Sequence, residues 1–456
     1  MNNLFVYIYM NKVIGEGTYG CVHEPSLKCK YKKNVNYDDK ISKIMKKRNA
    51  KDELDEYEKI TKIDPMKDFY LGKPTECFPK ISIKNKKAIN KCDSFNERDI
   101  NSYKLLIMKN GGSSLEKYGK ILQDRKATRV NIKKMELYLI ELHRLFYGLR
   151  EMIDNNIIHH DLKPHNIVYN ENETRLNFID FGLMDDKLNI INQAKRSEYN
   201  LGIPYWYFPM ELMFLNKNNY NFIANMPSDK RRNYITKLFD KNFQDMNAHS
   251  KIFYDYLPKT ININGQNENL QAYNLQNFIK VITFNINHNN YNEFLEKSLN
   301  TIDIYGTGVA LLFILKKGSH LIKSDLNKQL EELFYSMVNA DVYKRITIDE
   351  LLNKYETILE QSILKKHNYH FVNNKIRQKP SLLSNVYTKI NNEIKSFKLT
   401  AEQLKLKTRI PDKNCPPEKE LNPSTKRCVK KCKPNYTRNK KFRCVNKTRK
   451  SPYKML

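Results

Sequence analysis

Long apolar runs are missing from this sequence. Of its 456 residues 40% are hydrophobic, but the runs at 4–10 and 309–315 are only about seven residues long, whereas a membrane-spanning helix needs roughly 20. The N-terminus also lacks a basic stretch followed by a cleavage site, so no secretory signal is predicted. We expect a soluble, intracellular chain of two or three domains that does not bind a membrane.

Acidic residues are scarce. The chain has 50 Asp and Glu against 80 Lys and Arg, a net charge of +30, and such an excess is typical of nucleic-acid binding. An AT-rich coding sequence explains the charge of the body equally well, because Asn, Lys, Ile and Tyr are abundant throughout. Residues 401–456 differ, since 18 Lys and Arg minus 4 Asp and Glu leave +14 there. Nucleic-acid binding by this tail is an open alternative, but not the favoured one.

Closely spaced cysteine pairs are also rare. Four cysteines lie in the first part of the chain and four in the tail: Cys21, Cys29, Cys77 and Cys92, then Cys415, Cys428, Cys432 and Cys444. Disulfides are disfavoured inside cells, and a zinc site usually begins with a close pair, which only Cys428 and Cys432 form. For the tail, free thiols are the preferred interpretation, with disulfides and zinc left open.

The order of apolar patterns predicts an α+β fold. Strand patterns occur at 13–24, around a glycine turn, and at 38–45 and 104–112, while residues 50–63 have the pattern of an amphipathic helix. A longer helix follows, because apolar residues recur there at intervals of 3 and 4: Met135, Tyr138, Leu142, Leu145, Leu149 and Met152. We therefore expect a bilobal molecule, with a small strand-rich lobe before a helical lobe.

Later segments are less regular. Residues 213–300 are rich in Asn and are interpreted as a partly helical insertion, and residues 303–315 as a buried helix. Residues 361–410 are basic and predict a linker or a peripheral helix, before the tail at 411–456.

A glycine pattern near the N-terminus indicates contact with phosphate. Gly15, Gly17 and Gly20 form G-x-G-x-x-G-x-V with Val22, and glycines let backbone N–H groups approach phosphate oxygens. A dinucleotide-binding turn has the same glycines but opens a helix, whereas strand residues follow here. A hairpin turn without a ligand is the other alternative.

The stretch IIHHDLKPHN, residues 157–166, carries most of the functional information. Asp161, Lys163 and Asn166 form D-x-K-x-x-N, and Asp180 begins a D-F-G fourteen residues later. Phosphoryl transfer needs positioned charge rather than covalent help. One carboxylate must orient the attacking hydroxyl, a carboxylate and an amide must hold Mg²⁺, and lysines must neutralise phosphate charge. These side chains, together with Lys43, can fill those roles.

This ordered set resembles the signature of eukaryotic-type protein kinases over about residues 10–360. The resemblance implies binding of ATP and Mg²⁺, with Asp161 and Lys163 catalytic and Asn166 and Asp180 as metal ligands. It assigns the nucleotide-binding role to Ile14, Gly15, Gly17, Gly20, Val22, Lys43, Glu56 and Met108. Lys163 favours serine and threonine over tyrosine as acceptors.

Three further positions match supporting elements of that family. Asp303 and Gly308 in DIYGTG resemble the helix that supports the catalytic loop. Arg345 resembles the arginine that pairs with a glutamate at the end of the activation segment. The partner of Lys43 is less clear. Glu56 precedes Ile60 and Ile63 by four and seven residues, which favours it over Glu53 as the inward-facing glutamate.

Departures from the family pattern concern regulation and substrate choice. His159 matches the structural histidine of H-R-D, but His160 stands where arginine is usual, and a mostly neutral histidine cannot grip a phosphate. We therefore predict activity without activation-loop phosphorylation. Ile203 replaces a threonine, and Met210 separates Pro209 from its glutamate. Two alternatives to an active protein kinase are left open. One is a small-molecule kinase, which shares the two-lobe plan, and the other is an inactive kinase-fold scaffold that acts through the tail.

The tail resembles a two-cysteine adaptor module of large DNA viruses. The module begins at Cys415, and a looser second copy begins at Cys432. In that resemblance the module is fused to serine/threonine kinases and binds partner proteins. With the insertion and the AT-rich composition, the chain resembles a kinase of an iridovirus or a related giant virus. Protein substrates, a viral or host partner for 411–456, and a location in the host cytoplasm are expected, with packaging into the particle left open.

Overall fold

The computed structural model describes residues 11–17, 20–31, 35–200, 208–245, 260–263, 266–371, 383–408, 415–422, 425, 427–439 and 442–446. The chain divides into two compact units, Met1–Asn391 and Asn392–Leu456. Several predicted features lie outside the described residues: the apolar run at 4–10, the tip of the glycine turn at 18–19, and Ile203. The predicted domain boundaries at 360 and 410 remain predictions.

A five-stranded antiparallel sheet forms the first part of unit 1. Its strands are β1 (Lys12–Gly17), β2 (Gly20–Glu24), β3 (Lys40–Lys46), β4 (Thr75–Cys77) and β5 (Tyr103–Lys109), in the order β1-β2-β3-β5-β4. Helix α1 (Lys47–Ile63) follows β3 directly, and α2 (Ile83–Ile89) precedes β5. The predicted strands and the predicted first helix are confirmed.

The two faces of this sheet pack against different groups. Side chains alternate along a strand, so Ile44 belongs to one core cluster, whereas its neighbour Met45 packs with Leu106 and with Ala50 of α1. Lys43 lies directly opposite Leu106 in the β3–β5 register. Lys43 is therefore on the face that looks toward α1.

A helical part with short strands follows. Its elements up to residue 195 are β6 (Ser113–Ser114), α3 (Leu115–Gln123), α4 (Arg129–Asp154), β7 (Ile157–Ile158), β8 (Ile167–Asn170), β9 (Arg175–Phe178), β10 (Asp185–Asp186) and α5 (Lys187–Lys195). Strands β6, β8 and β9 form one small sheet, and β7 pairs with β10. Helix α4 begins after Thr128, whose side chain accepts the N–H of Asn131. All six residues of the predicted apolar stripe on α4 are fully buried, which confirms its orientation.

The remaining elements are mainly helices. They are α6 (Lys217–Ala224), α7 (Ser228–Asp245), the hairpin β11 (Thr260–Ile263) and β12 (Gln266–Asn269), α8 (Leu270–Phe284), α9 (Tyr291–Gly318), α10 (Ser324–Met337), α11 (Ile348–Ser362) and α12 (Ser384–Thr408). The insertion is partly helical, as predicted, and the basic segment after 361 contains a helix.

The expectation that no stretch is long and apolar enough to span a bilayer was wrong. Residues 288–321, which include α9, are long and apolar enough to cross a bilayer. However, 94% of the most apolar window is buried inside the protein, as expected for the predicted core helix at 303–315.

The cysteines form disulfides, so the preference for free thiols was wrong. Two bridges tie the N-terminal sheet region, Cys21–Cys92 and Cys29–Cys77, and two lie in unit 2, Cys415–Cys428 and Cys432–Cys444. The described part of unit 2 contains two antiparallel hairpins, β13 (Lys419–Leu421) with β14 (Cys428–Lys430) and β15 (Tyr436–Arg438) with β16 (Cys444–Asn446). Arg438 joins the hairpins, since it donates to Glu420 at 2.8 Å and to the Lys430 carbonyl at 2.6 Å.

Candidate active site

The loop that carries Asp161 is anchored on the buried helix α9. The two carboxylate oxygens of Asp303 accept the backbone N–H groups of His159 at 2.7 Å and His160 at 3.0 Å. Burial raises the pKa of Asp303, although these two N–H groups and the nearby His159 oppose the rise. As the resemblance implied, α9 supports this loop.

Gly306 allows the close approach of α9 to the same loop. A Cβ atom at this position would lie 2.2 Å from the carbonyl oxygen of Leu162, which is far inside a permitted contact. Gly308 was predicted from the family motif, whereas Gly306 was not. Its signal was a second glycine inside an otherwise apolar helix, which often marks close packing.

Asp161 is held by its neighbours within the loop. Lys163 Nζ lies 2.8 Å and 2.9 Å from the two carboxylate oxygens of Asp161. Asn166 Nδ2 donates to Oδ2 of Asp161 at 2.7 Å and to its backbone carbonyl at 2.9 Å. The carboxylate of Asp161 is thus oriented from two sides, in a buried position.

Lys43 bridges two acidic side chains. Its Nζ lies 2.7 Å from Glu53 Oε2 and 2.9 Å from Asp180 Oδ1. Burial alone would lower the pKa of Lys43, but the two carboxylates outweigh it and raise the pKa. Burial alone would raise the pKa of Asp180, but Lys43 lowers it overall, so this carboxyl is held ionised. The bridge joins β3, α1 and the 180–182 loop.

The preference for Glu56 as the partner of Lys43 is corrected. Glu53 is the partner, whereas Glu56 pairs with Lys59 at 3.0 Å on its own helix. The buried positions of α1 are Ala50, Glu53, Tyr57 and Ile60. Glu56 lies at the edge of this stripe and is not one of its buried positions, and counting from the only partly buried Ile63 displaced the prediction by three residues.

A column of buried rings fixes the 180–182 loop. The ring of Phe181 lies 5.4 Å from Tyr57, 6.3 Å from Tyr70 and 5.1 Å from His159, centre to centre. His159 also contacts the carbonyl of Ile179 at 3.1 Å through Nε2. Packing against α1 on one side and the catalytic loop on the other therefore holds Asp180, whose φ of 65° is in the left-handed region.

The glycine turn leaves open space. Gly17 pairs with Gly20 across β1 and β2, and a Cβ on Gly15 or Gly17 would meet no atom within 4 Å. At Gly20 a Cβ would lie 2.9 Å from Cε of Lys43, so this glycine gives room to the lysine. Val22 lies opposite Lys43 in the register.

The other two residues assigned to the nucleotide lie on either side of this region. Ile14 follows Val13 in β1, and its carbonyl accepts Lys117 Nζ at 2.6 Å. Met108 lies opposite Ile41 on β5 and packs against the cluster that contains Leu106.

The end of the activation segment is anchored as expected. Arg345 Nη1 lies 2.6 Å from Glu211 Oε1, and both side chains are essentially inaccessible to solvent. The same nitrogen donates to Thr301 of α9 at 3.1 Å. The predicted role of Arg345 in pairing with a glutamate is confirmed.

His160 makes a contact that the sequence did not reveal. Its Nε2 lies 2.8 Å from the hydroxyl of Tyr199, and the two rings are stacked with an angle of 12° between their planes. Burial lowers the pKa of His160 to about 4. A neutral histidine that binds a tyrosine therefore stands where the family has an arginine.

The donor set fits a magnesium–nucleotide complex. Mg²⁺ prefers oxygen ligands, usually one or two carboxylates together with phosphate oxygens. Because the amide nitrogen of Asn166 is bound to Asp161, its amide oxygen is the atom that remains for a cation. The Asp180 carboxylate, whose side chain is 44% exposed, supplies the second oxygen donor.

Comparison with known families supports this geometry. A model of the ABC1 atypical kinase-like domain matches residues 118–199. The match spans Asp161, Lys163, Asn166 and Asp180, but only a minority of the chain. No curated protein matches the sequence. The chain has a kinase-like α+β fold, with an antiparallel sheet and many helices.

Proposed function

We propose that the protein is a protein kinase that transfers the γ-phosphate of ATP to serine or threonine hydroxyls. The observation that carries the proposal is the polar network of Lys43, Glu53, Asp180, Asp161 and Asn166. An inactive scaffold has no need to keep an ammonium between two carboxylates beside a separately oriented aspartate. The two-lobe layout, with the nucleotide between the sheet and the helical part, belongs to the same proposal.

Each side chain has a defined task in this mechanism. Asp161 orients the acceptor hydroxyl and accepts its proton. Lys163, held at 2.8 Å from Asp161, stabilises the negative charge on the transferred group. Lys43 binds the α- and β-phosphates, and Glu53 positions it. Asn166 and Asp180 would hold Mg²⁺, which supplies charge neutralisation between the phosphates when bound.

The His160–Tyr199 contact supports activity without activation-loop phosphorylation. The partner of His160 is the neutral hydroxyl of Tyr199, whereas an arginine at this position would bind the phosphate of a phosphorylated activation loop. Tyr199 lies shortly before residues 201–207 in the sequence. A buried neutral pair needs no added charge to stabilise the contact between His160 and Tyr199. Treatment with a phosphatase should leave turnover unchanged, whereas loss of turnover would contradict this part of the proposal.

A scaffold that acts through its tail is the second candidate. It is favoured by the likeness to an atypical kinase-like family and by the two disulfide-closed hairpins of unit 2, which lie in a tail of net charge +14. In either case we propose that residues 411–456 bind a viral or host protein. A viral origin and a location in the host cytoplasm or the virus particle also remain proposals.

Transfer of labelled phosphate tests the two candidates against each other. Purified protein is incubated with γ-³³P-ATP and Mg²⁺, with itself, casein and a basic protein as acceptors. The Asp161→Asn variant should lose transfer, while the matched surface variant Asp349→Asn, on an exposed residue, should keep it. Label on phosphoserine or phosphothreonine supports the proposal. Nucleotide binding without transfer by the wild type would favour the scaffold.

A further inference from the structure

A cavity of about 820 Å³ lies beside the sheet and is not part of the proposed catalytic apparatus. Among the described residues, its lining includes Lys40, Lys67, Lys73 and Lys109, with Leu71 and Ile107 as apolar surface. The described lining residues include these four lysines and no acidic residue. The volume falls in the range of sites for small organic ligands, roughly 300–1,000 Å³.

Most of the strand residues that line the cavity are on the sheet face opposite to Lys43. Lys40 precedes Lys43 by three positions on β3, and Ile107 follows Leu106 by one on β5, so both point away from the face that carries Lys43. Thr75 on β4 lies opposite Ile107 and continues the same wall. Among the lining residues only Met108 is also assigned to the nucleotide.

The arrangement of the lysines leaves positive charge without compensation. Lys40 and Lys109 face each other directly across β3 and β5, and like charges at such positions destabilise a sheet. Lys109 is balanced by Glu173 at 2.6 Å, and Lys73 by Glu58. Within the described ranges, neither Lys40 nor Lys67 makes an ion pair.

The loop that carries Lys67 has a specific shape. Lys67 and Gly72 both have left-handed backbones, with φ of 60° and 90°. A Cβ on Gly72 would lie 3.2 Å from Cδ of Lys67, so the lysine side chain packs over the glycine. Leu71 provides apolar surface beside it, within 2.8 Å of where a Cβ on Gly111 would stand. The Lys67 side chain thus packs on the Gly72 turn, and Leu71 lines the same cavity.

We propose that this cavity binds a small phosphorylated organic molecule, with its phosphate between Lys40 and Lys67 and its apolar part against Leu71 and Ile107. Two ammonium groups without an acidic partner match a phosphate dianion. The apolar surface of Leu71 and Ile107 favours a ligand with an organic part over inorganic phosphate. Apart from Met108, its lining residues differ from those assigned to ATP, so it does not depend on phosphotransfer by Asp161.

Binding of 1-naphthyl phosphate tests the proposal. This probe carries a dianionic head at pH 8 and an apolar body, and its fluorescence reports binding to the full chain. We expect binding with saturating Mg·ADP present, loss of affinity with rising salt, and about tenfold weaker binding by the Lys40→Gln/Lys67→Gln double variant. The exposed Lys87→Gln on α2 is the matched control and should bind as the wild type does.

A second readout avoids dependence on a folded variant. In the wild-type protein, acetylation by a limiting reagent should be slowed by the probe at Lys40 and Lys67 but not at Lys87, as measured by mass spectrometry of peptides. Displacement of the probe by Mg·ADP, equal affinity of the double variant, or equal protection of all three lysines would overturn the proposal.

Discussion

The catalytic loop and the N-terminal sheet are fixed by different kinds of bond. The loop depends on hydrogen bonds to buried side chains, chiefly from His159 and His160 to Asp303. The sheet region is closed by covalent bridges, Cys21–Cys92 and Cys29–Cys77, which span 71 and 48 residues. Reduction should therefore act on the stability of the sheet, while substitutions around α9 should act on the chemistry.

The largest expected effect concerns the bridge between Cys21 and Cys92. A closed loop of 71 residues restricts the unfolded chain enough to stabilise the fold by about 4 kcal/mol. We expect the Cys21→Ser/Cys92→Ser variant to lose about that free energy of unfolding in denaturant titrations. A reducing agent should destabilise the wild type by more than the substitution does, because it also opens Cys29–Cys77, and should still destabilise the variant through that second bridge. Equal stability of both proteins would show that the bridge does not form.

The catalytic loop should respond to pH through His160. Its folded pKa of about 4 lies below its unfolded value of 6.5, so protons bind the unfolded chain first as the pH falls. His160 therefore reduces stability between pH 6.5 and 4, by up to about 3 kcal/mol. The His160→Asn variant, which tolerates the positive φ of this position, should lose that part of the pH dependence. An unchanged stability profile would contradict a buried neutral histidine.

Asp303→Asn should separate loop geometry from stability. Asparagine offers one acceptor oxygen for two N–H groups, so one buried donor loses its partner at a cost of about 1–3 kcal/mol. We expect phosphate transfer to fall by about 100-fold, because a displaced catalytic loop lowers the rate, while nucleotide affinity changes little. The exposed Asp325→Asn on α10 is the control. A parallel loss of nucleotide affinity would place the effect elsewhere.

The two glutamates of α1 give the smallest and sharpest contrast. Glu53→Gln removes a charge from the Lys43 bridge and should weaken Mg·ATP binding or transfer by about tenfold. Glu56→Gln removes a partly buried pair with Lys59 on the same helix, which is not part of the Lys43 bridge, and should change either quantity by less than about twofold. Steady-state kinetics on both variants measures this. A larger effect of Glu56→Gln than of Glu53→Gln would favour Glu56 as the partner of Lys43.

Most of the fold and the site followed from short patterns. Strands, the α4 stripe and the kinase-like motifs depend on local spacing, which the sequence displays directly. The choice of Glu53 as the partner of Lys43 depended on the phase of α1, and an error of three residues moved the prediction to Glu56 at the edge of the buried stripe. The disulfide partners, Tyr199 and Gly306 are contacts between distant segments, which spacing alone does not specify. Chain-wide apolarity was a poor guide, since a helix apolar enough for a membrane is buried in the core.

The central claim is that Asp161 performs phosphate transfer in a site that binds Mg·ATP independently of it. The most direct measurement compares wild type and Asp161→Asn for both Mg·ATP affinity and ³³P transfer in the same preparation. The account predicts comparable affinity and a loss of transfer by about 1,000-fold or more in the variant. Transfer by Asp161→Asn at the wild-type rate, or the absence of Mg·ATP binding by the wild type, would contradict it.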